Sequence, residues 1–101
     1  MKPKEFKVNT LDDFQSLVDS KDFSISEAVV NAILNNLKTR KKRIHMLSIK
    51  CMEENTIFDI TLEKTHFVDT LKENLKYYEE RELYEECVKI NEGIKTLSKV
   101  K

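Results

Sequence analysis

Apolar residues return every three or four positions through the last third of the chain. Val68, Leu71, Leu75 and Tyr78 form one such stripe; Leu83, Cys87, Ile90, Ile94 and Leu97 form a second. Each stripe marks one face of an amphipathic helix. The two stripes are out of phase. Carrying the first one forward would put Glu82 and Glu85 into the core, which is costly for carboxylates. The polar step Glu79, Glu80, Arg81, Glu82 is therefore the predicted turn, and residues 67–101 read as an antiparallel helical hairpin. Gly93, the only glycine, falls inside the second stripe and should weaken that helix.

The N-terminal part reads less regularly. Residues 1–4 are expected to be a loose terminus. Phe6 and Val8 alternate with polar neighbours, so residues 5–8 suit a short edge strand. Thr10-Leu11-Asp12-Asp13 resembles a capping box, with Asp in the place of Glu. Leu11, Phe14, Leu17 and Val18 then give one apolar face, predicting a short helix over residues 11–20. Lys21 and Asp22 read as a linker. Ser24-Ile25-Ser26-Glu27 is a fuller capping box, with Phe23 placed to pack on Ala28 as a staple. The helix it opens carries Val29, Val30, Ile33, Leu34 and Leu37 and is predicted to run to about Thr39. Positive charge beyond that point suits a helix C-terminus.

The period then changes from helical to two. Leu47, Ile49 and Cys51 alternate with Met46, Ser48 and Lys50. Phe58, Ile60 and Leu62 alternate with Ile57, Asp59 and Thr61. Pairing Cys51 with Phe58, Ile49 with Ile60 and Leu47 with Leu62 puts all six apolar residues on one face. This predicts an antiparallel β-hairpin in that register. An isolated hairpin is barely stable in water, so helices two and three should cover its apolar face. A third strand is supplied either by residues 5–8 or by another chain. Thr65 is placed to cap the third helix. The fold class is α+β: four helices packed on one antiparallel β-hairpin, ending in the helical hairpin. The chain reads as a single domain with three parts, residues 1–22, 23–66 and 67–101.

Composition narrows the functional classes. Charged residues are 36% of the 101 and cancel to zero net. Bulk attraction to nucleic acid or to an anionic membrane is disfavoured, though local patches stay open. There is no apolar run of membrane-spanning length and no apolar leader, so no membrane partner is expected. Cys51 and Cys87 are far apart and lie in apolar patterns, as buried thiols of a reducing compartment do. A cytoplasmic location is expected. The size and the richness in Lys, Asn and Ile resemble small bacterial or phage accessory proteins.

Candidate chemistry is sparse. His45, Cys51, His66 and Cys87 lack the close ligand pairs of structural zinc, so no metal and no cofactor is assigned. There is no phosphate-cradling glycine loop, G-x-S-x-G or H-E-x-x-H, so no catalytic residue is assigned. Two binding surfaces remain. Lys38, Arg40, Lys41, Lys42 and Arg43 place five positive charges in six residues, enough to neutralise several phosphates, but no aromatic residue interleaves them. Tyr77, Tyr78, Tyr84 and Glu85 gather near the predicted helical turn. Tyrosine at the edge of a patch is suited to partner contact.

The second C-terminal helix also carries a resemblance. Tyr84-Glu85, Cys87-Val88, Ile90-Asn91-Glu92, Ile94 and Leu97 follow the spacing of the UVR motif, a short helical hairpin of bacterial nucleotide-excision repair subunits and of some protein-quality-control regulators. Cys87-Val88 stands where that motif has Ala-Ala, and Asn91-Glu92 where it has Arg-Asp. The resemblance implies pairing of hairpin with hairpin, in a homodimer or with a partner protein, and it implies no catalysis. The leading expectation is a non-enzymatic protein-binding or regulatory module. The alternative is a small nucleic-acid-associated protein that binds phosphates through residues 38–43.

Overall fold

A computed structural model describes residues 4–20 and 22–99. The expected loose terminus at residues 1–3, the Lys21 part of the linker, and residues 100–101 lie outside the described residues. Among those described, the chain forms three strands and four helices: β1 (Lys4–Val8), α1 (Leu11–Asp19), α2 (Phe23–Leu34), β2 (Arg43–Cys51), β3 (Thr56–Glu63), α3 (Phe67–Glu80) and α4 (Tyr84–Lys99). A 3-10 turn, Lys64–His66, leads into α3.

The sheet is mixed, with strand order β1-β2-β3. It is not the simple antiparallel hairpin expected. β1 runs parallel to β2, so α1 and α2 serve as the crossover that a parallel pair requires. β2 and β3 are antiparallel, but their register differs by two from the expected one. Cys51 faces Thr56, Ile49 faces Phe58 and Leu47 faces Ile60. The turn between the strands is short because Asn55 takes a left-handed conformation (φ 49°), which Asn tolerates better than most residues. A shift of two residues preserves the pleat, so the apolar residues still share a face.

That inner face carries Phe6 and Val8 from β1, and Ile44, Leu47, Ile49 and Cys51 from β2, all buried. Phe58, Ile60 and Leu62 of β3 are only half-buried. α1 sits by β1, where Phe14 meets Phe6 edge-on with ring centroids 6.1 Å apart. α2 packs on β2, α3 packs on α2, and α4 packs on α3 and α2. Phe67, Ile33, Leu71, Ile90 and Val30 are almost wholly enclosed. Each such side chain stabilises the fold by about 1.5–3 kcal/mol relative to exposure.

The helix ends explain several local outcomes. The Thr10–Asp13 capping box forms in both directions: Asp13 N–H donates to Thr10 Oγ1 and Thr10 N–H to Asp13 Oδ2, each at 3.2 Å. α2 is capped two positions before Ser24. Asp22 accepts from both the backbone N–H and the hydroxyl of Ser24, and these bonds hold its carboxyl below the usual range. α2 also stops at Leu34 rather than near Thr39. Asparagine is a weak helix former, and the Asn36 amide donates to the Ala32 carbonyl at 2.7 Å, satisfying a carbonyl left open by the last turn. Thr65 does not cap α3. The 3-10 turn supplies i→i+3 bonding at that entry instead, with Phe67 N–H directed to the Lys64 carbonyl.

Between α3 and α4 the chain turns over residues 81–83. Leu83 N–H donates to the Tyr78 carbonyl at 3.1 Å and Glu82 N–H to the Glu79 carbonyl at 3.0 Å. With Glu82 left-handed (φ 57°), this is a Schellman ending that uses Glu where Gly is usual. No glycine marks the turn because the two hydrogen bonds and the half-buried Leu83 hold it.

Candidate functional site

Residues 38–43 do not decorate a helix end. α2 has no basic residue in its last turn, so helix-dipole matching does not account for the run. The run instead forms the loop entering β2. Thr39 Oγ1 accepts from Lys41 N–H at 3.2 Å. Lys64 then closes the loop from the far strand. Its backbone N–H donates to the Lys42 carbonyl and its ammonium to the Thr39 carbonyl, both at 2.7 Å.

Arg40, Lys41, Lys42, Arg43 and Lys64 thereby line one groove of about 670 Å³. Val68 and Leu97 give it an apolar wall, and Glu63 is its one acidic residue. Lys38 is exposed and is not among the lining residues. Lys64 is a groove residue that sequence reasoning missed. In the expected register it would sit opposite His45. The observed register, with Arg43 opposite Glu63, carries it to Lys42.

The four residues expected at the partner surface separate. Tyr78 is a core residue, only 3% exposed, with its ring 4.9 Å from that of Phe23. This corrects its assignment as a contact residue: α3 turns that face toward α2. The Arg81 guanidinium lies over the Phe23 ring, 4.4 Å from its centroid. Tyr77 is half-buried. Tyr84 is 64% exposed, and Glu85 is exposed beside it. Val88, one turn beyond Tyr84 on α4, is 55% exposed and was not singled out. Its i+4 spacing from Tyr84 was the available signal.

Burial pushes the Tyr78 phenol up to about 12, with the charges of Glu27 and Glu86 adding to the shift. The fold keeps it neutral while the unfolded chain ionises near 10. Its contribution to stability is therefore whole below pH 10 and lost as pH rises to about 12. Ultraviolet titration should show a phenolate component near 12 that is missing from Tyr78→Phe. An unchanged titration curve would contradict the burial of this ring.

A polar cluster on the outer sheet face was also missed. β2 bulges between His45 and Leu47. In a regular strand, residues three apart face opposite sides. The extra residue puts His45 and Ser48 on the same side. Ser48 Oγ donates to Asp59 Oδ1 at 2.9 Å, and His45 Nε2 lies 2.8 Å from Ser48 Oγ and 3.3 Å from Asp59 Oδ1. A hydroxyl proton given to Asp59 leaves the serine oxygen to accept from the imidazole. A nucleophilic serine needs the reverse, with its proton on the imidazole and the carboxylate behind the other ring nitrogen. The cluster ties β2 to β3 across the ladder.

Both thiols are free and buried, and burial is the main cause that raises each pKa, with nearby carboxylates adding. Neither has the thiolate character of a reactive cysteine. Among the described residues no group of three His, Cys, Asp or Glu could hold a metal ion, and no helix is long and apolar enough to cross a membrane. No protein-family model, curated protein or solved structure matches the chain.

Proposed function

We propose that the chain is a protein-binding module that works through the end of α4 nearest the α3–α4 turn. The observation that carries this reading is the pair Tyr84 and Val88, both large, both more than half exposed, and one helical turn apart. Glu85, exposed beside Tyr84 in the first turn of α4, puts a negative charge at the edge of the pair. The partner that fits is a protein with an apolar pocket rimmed by lysine or arginine. Tyr84 is the anchor, Val88 fills beside it, and Glu85 is a rim charge that sets orientation.

We read α3 and α4 as a helical hairpin of the UVR kind. The three-residue link and the Schellman ending between them support this reading. The buried thiols favour binding over thiol chemistry, and free thiols suit a reducing compartment such as the cytoplasm.

A photo-crosslinking residue in place of Tyr84 should capture one discrete protein in host cells. The same residue in place of Lys50, on the outer sheet face, should not. An adduct of twice the chain mass would identify a second copy as the partner and establish the homodimer. Equal capture at both positions, or none at Tyr84, would remove the proposal.

A further inference from the structure

We infer that the groove between the loop entering β2 and the start of α3 binds a compact phosphorylated ligand: a di- or triphosphate ester with an apolar or heterocyclic end, as in a nucleoside triphosphate. This inference is independent of the aromatic surface on α4. Five basic residues line the groove, with Glu63 the one acidic residue among its lining. No described lysine or arginine lies within ion-pair distance of a described carboxylate, so none of the five is neutralised by another described side chain. Glu63 lies opposite Arg43 in the ladder but forms no ion pair with it. Like charges held together without a counterion repel one another, and an anion bearing several charges relieves that repulsion. The Arg40 and Arg43 guanidinium groups offer planar forks suited to phosphate oxygens, while Lys41 and Lys42 act as point charges.

The groove is also prebuilt. Two bonds from Lys64 and the Thr39 hydroxyl fix the loop without using the side chains of residues 40–43. A volume of about 670 Å³ suits a small ligand. The shape argues for such a ligand over a nucleic-acid strand. The basic residues line one groove, and no aromatic residue lines it to stack successive bases. Val68 and Leu97 on one side offer an apolar wall for the uncharged end of the ligand. Glu63 can accept a hydrogen bond from a hydroxyl or an exocyclic amine there.

The test titrates the whole chain at low ionic strength with ATP, inorganic triphosphate and a single-stranded oligothymidine. Calorimetry reads affinity and amide NMR shifts read location. ATP should saturate at one equivalent and shift the amides of residues 40–43, Lys64, Val68 and Leu97. Arg40→Gln with Lys42→Gln should weaken ATP at least about tenfold, the effect of losing one charged hydrogen bond. The circular dichroism of that variant should be unchanged, since Lys64 and Thr39 still anchor the loop. Inorganic triphosphate should bind several-fold more weakly than ATP, because it leaves the Val68–Leu97 wall uncovered. Absence of saturable ATP binding, or shifts confined to other surfaces, would overturn the inference. So would oligothymidine binding more tightly than ATP over a site of several nucleotides, which would assign the groove to nucleic acid instead.

Discussion

Ile49→Asp is expected to abolish most of the cooperative unfolding transition, while Lys50→Asp leaves it nearly unchanged. Ile49 is 3% exposed and lies at the centre of the inner sheet face, between Phe6 of β1 and Phe58 of β3. A carboxylate there has no cation to pair with and no solvent to reach. The cost of an unpaired buried charge is about 4 kcal/mol or more. A domain of this size holds roughly 5–15 kcal/mol in total, so the substitution consumes much of it. Lys50 points to the other face, where its ladder neighbours are Lys7 and Ile57. An Asp beside Lys7 replaces a like-charge pair with an opposite one, so the change should stay within about 1 kcal/mol. Urea unfolding followed by far-UV circular dichroism reads both. Equal losses from the two substitutions would show that the face assignment is wrong.

This pair of variants probes what the sequence made legible. The alternation of Leu47, Ile49 and Cys51 against Phe58, Ile60 and Leu62 identified the inner face, because side-chain direction in a strand has a strict period of two. The same alternation cannot separate registers that differ by two residues, since both bury the same set. The observed register closes with a shorter turn in which Asn55 is left-handed. The bulge at Met46 was equally hidden: one extra residue in β2 leaves no mark on the apolar pattern of β3. These two details brought Lys64 to the basic loop and His45 to Ser48. The part of the candidate groove supplied by consecutive residues was visible, and the part supplied across the ladder was not.

Helix ends divided along similar lines. Thr10 and Asp13 form a reciprocal local pair, and local pairs can be read from spacing. At α2 the competing cap Asp22 lay two positions before Ser24, and spacing alone does not rank two acceptors this close in sequence. The parallel placement of β1 depends on the whole crossover through α1 and α2, a long-range result with no local signature. Tyr78 and Tyr84 differ only by position on their helices, yet one is core and the other surface. The first stripe already placed Tyr78 among the apolar residues. Its packing against Phe23 follows from that stripe, and its assignment as a contact residue does not.

Gly93→Val is expected to destabilise the domain by roughly 2–4 kcal/mol, while Gly93→Ala is nearly neutral. On sequence grounds Gly93 is a weak point in α4, and an alanine there should strengthen the helix by about 1 kcal/mol. The packing offsets that gain. A Cβ at residue 93 would lie 2.8 Å from Leu34 Cδ2, with Leu37 Cδ2 at 3.5 Å and Leu71 Cδ1 at 3.6 Å. The glycine lets α4 approach the end of α2 closely, where these leucines fill the space a side chain would take. The nearest atom is the tip of a flexible leucine, so one methyl group can be accommodated by a small rotation. That rotation costs about what the gain in helix propensity returns. Valine adds two γ-methyl groups among the same three leucines, and no single rotation clears them. Overpacking of this kind typically costs about 1–3 kcal/mol, and the stiffness of a β-branched residue in a helix adds a little more. Thermal unfolding should show Tm falling by more than about 10 °C for Gly93→Val and by only a few degrees either way for Gly93→Ala. If valine were tolerated as well as alanine, α4 would not be seated on Leu34, and the packing of the C-terminal helices on α2 would have to be redrawn.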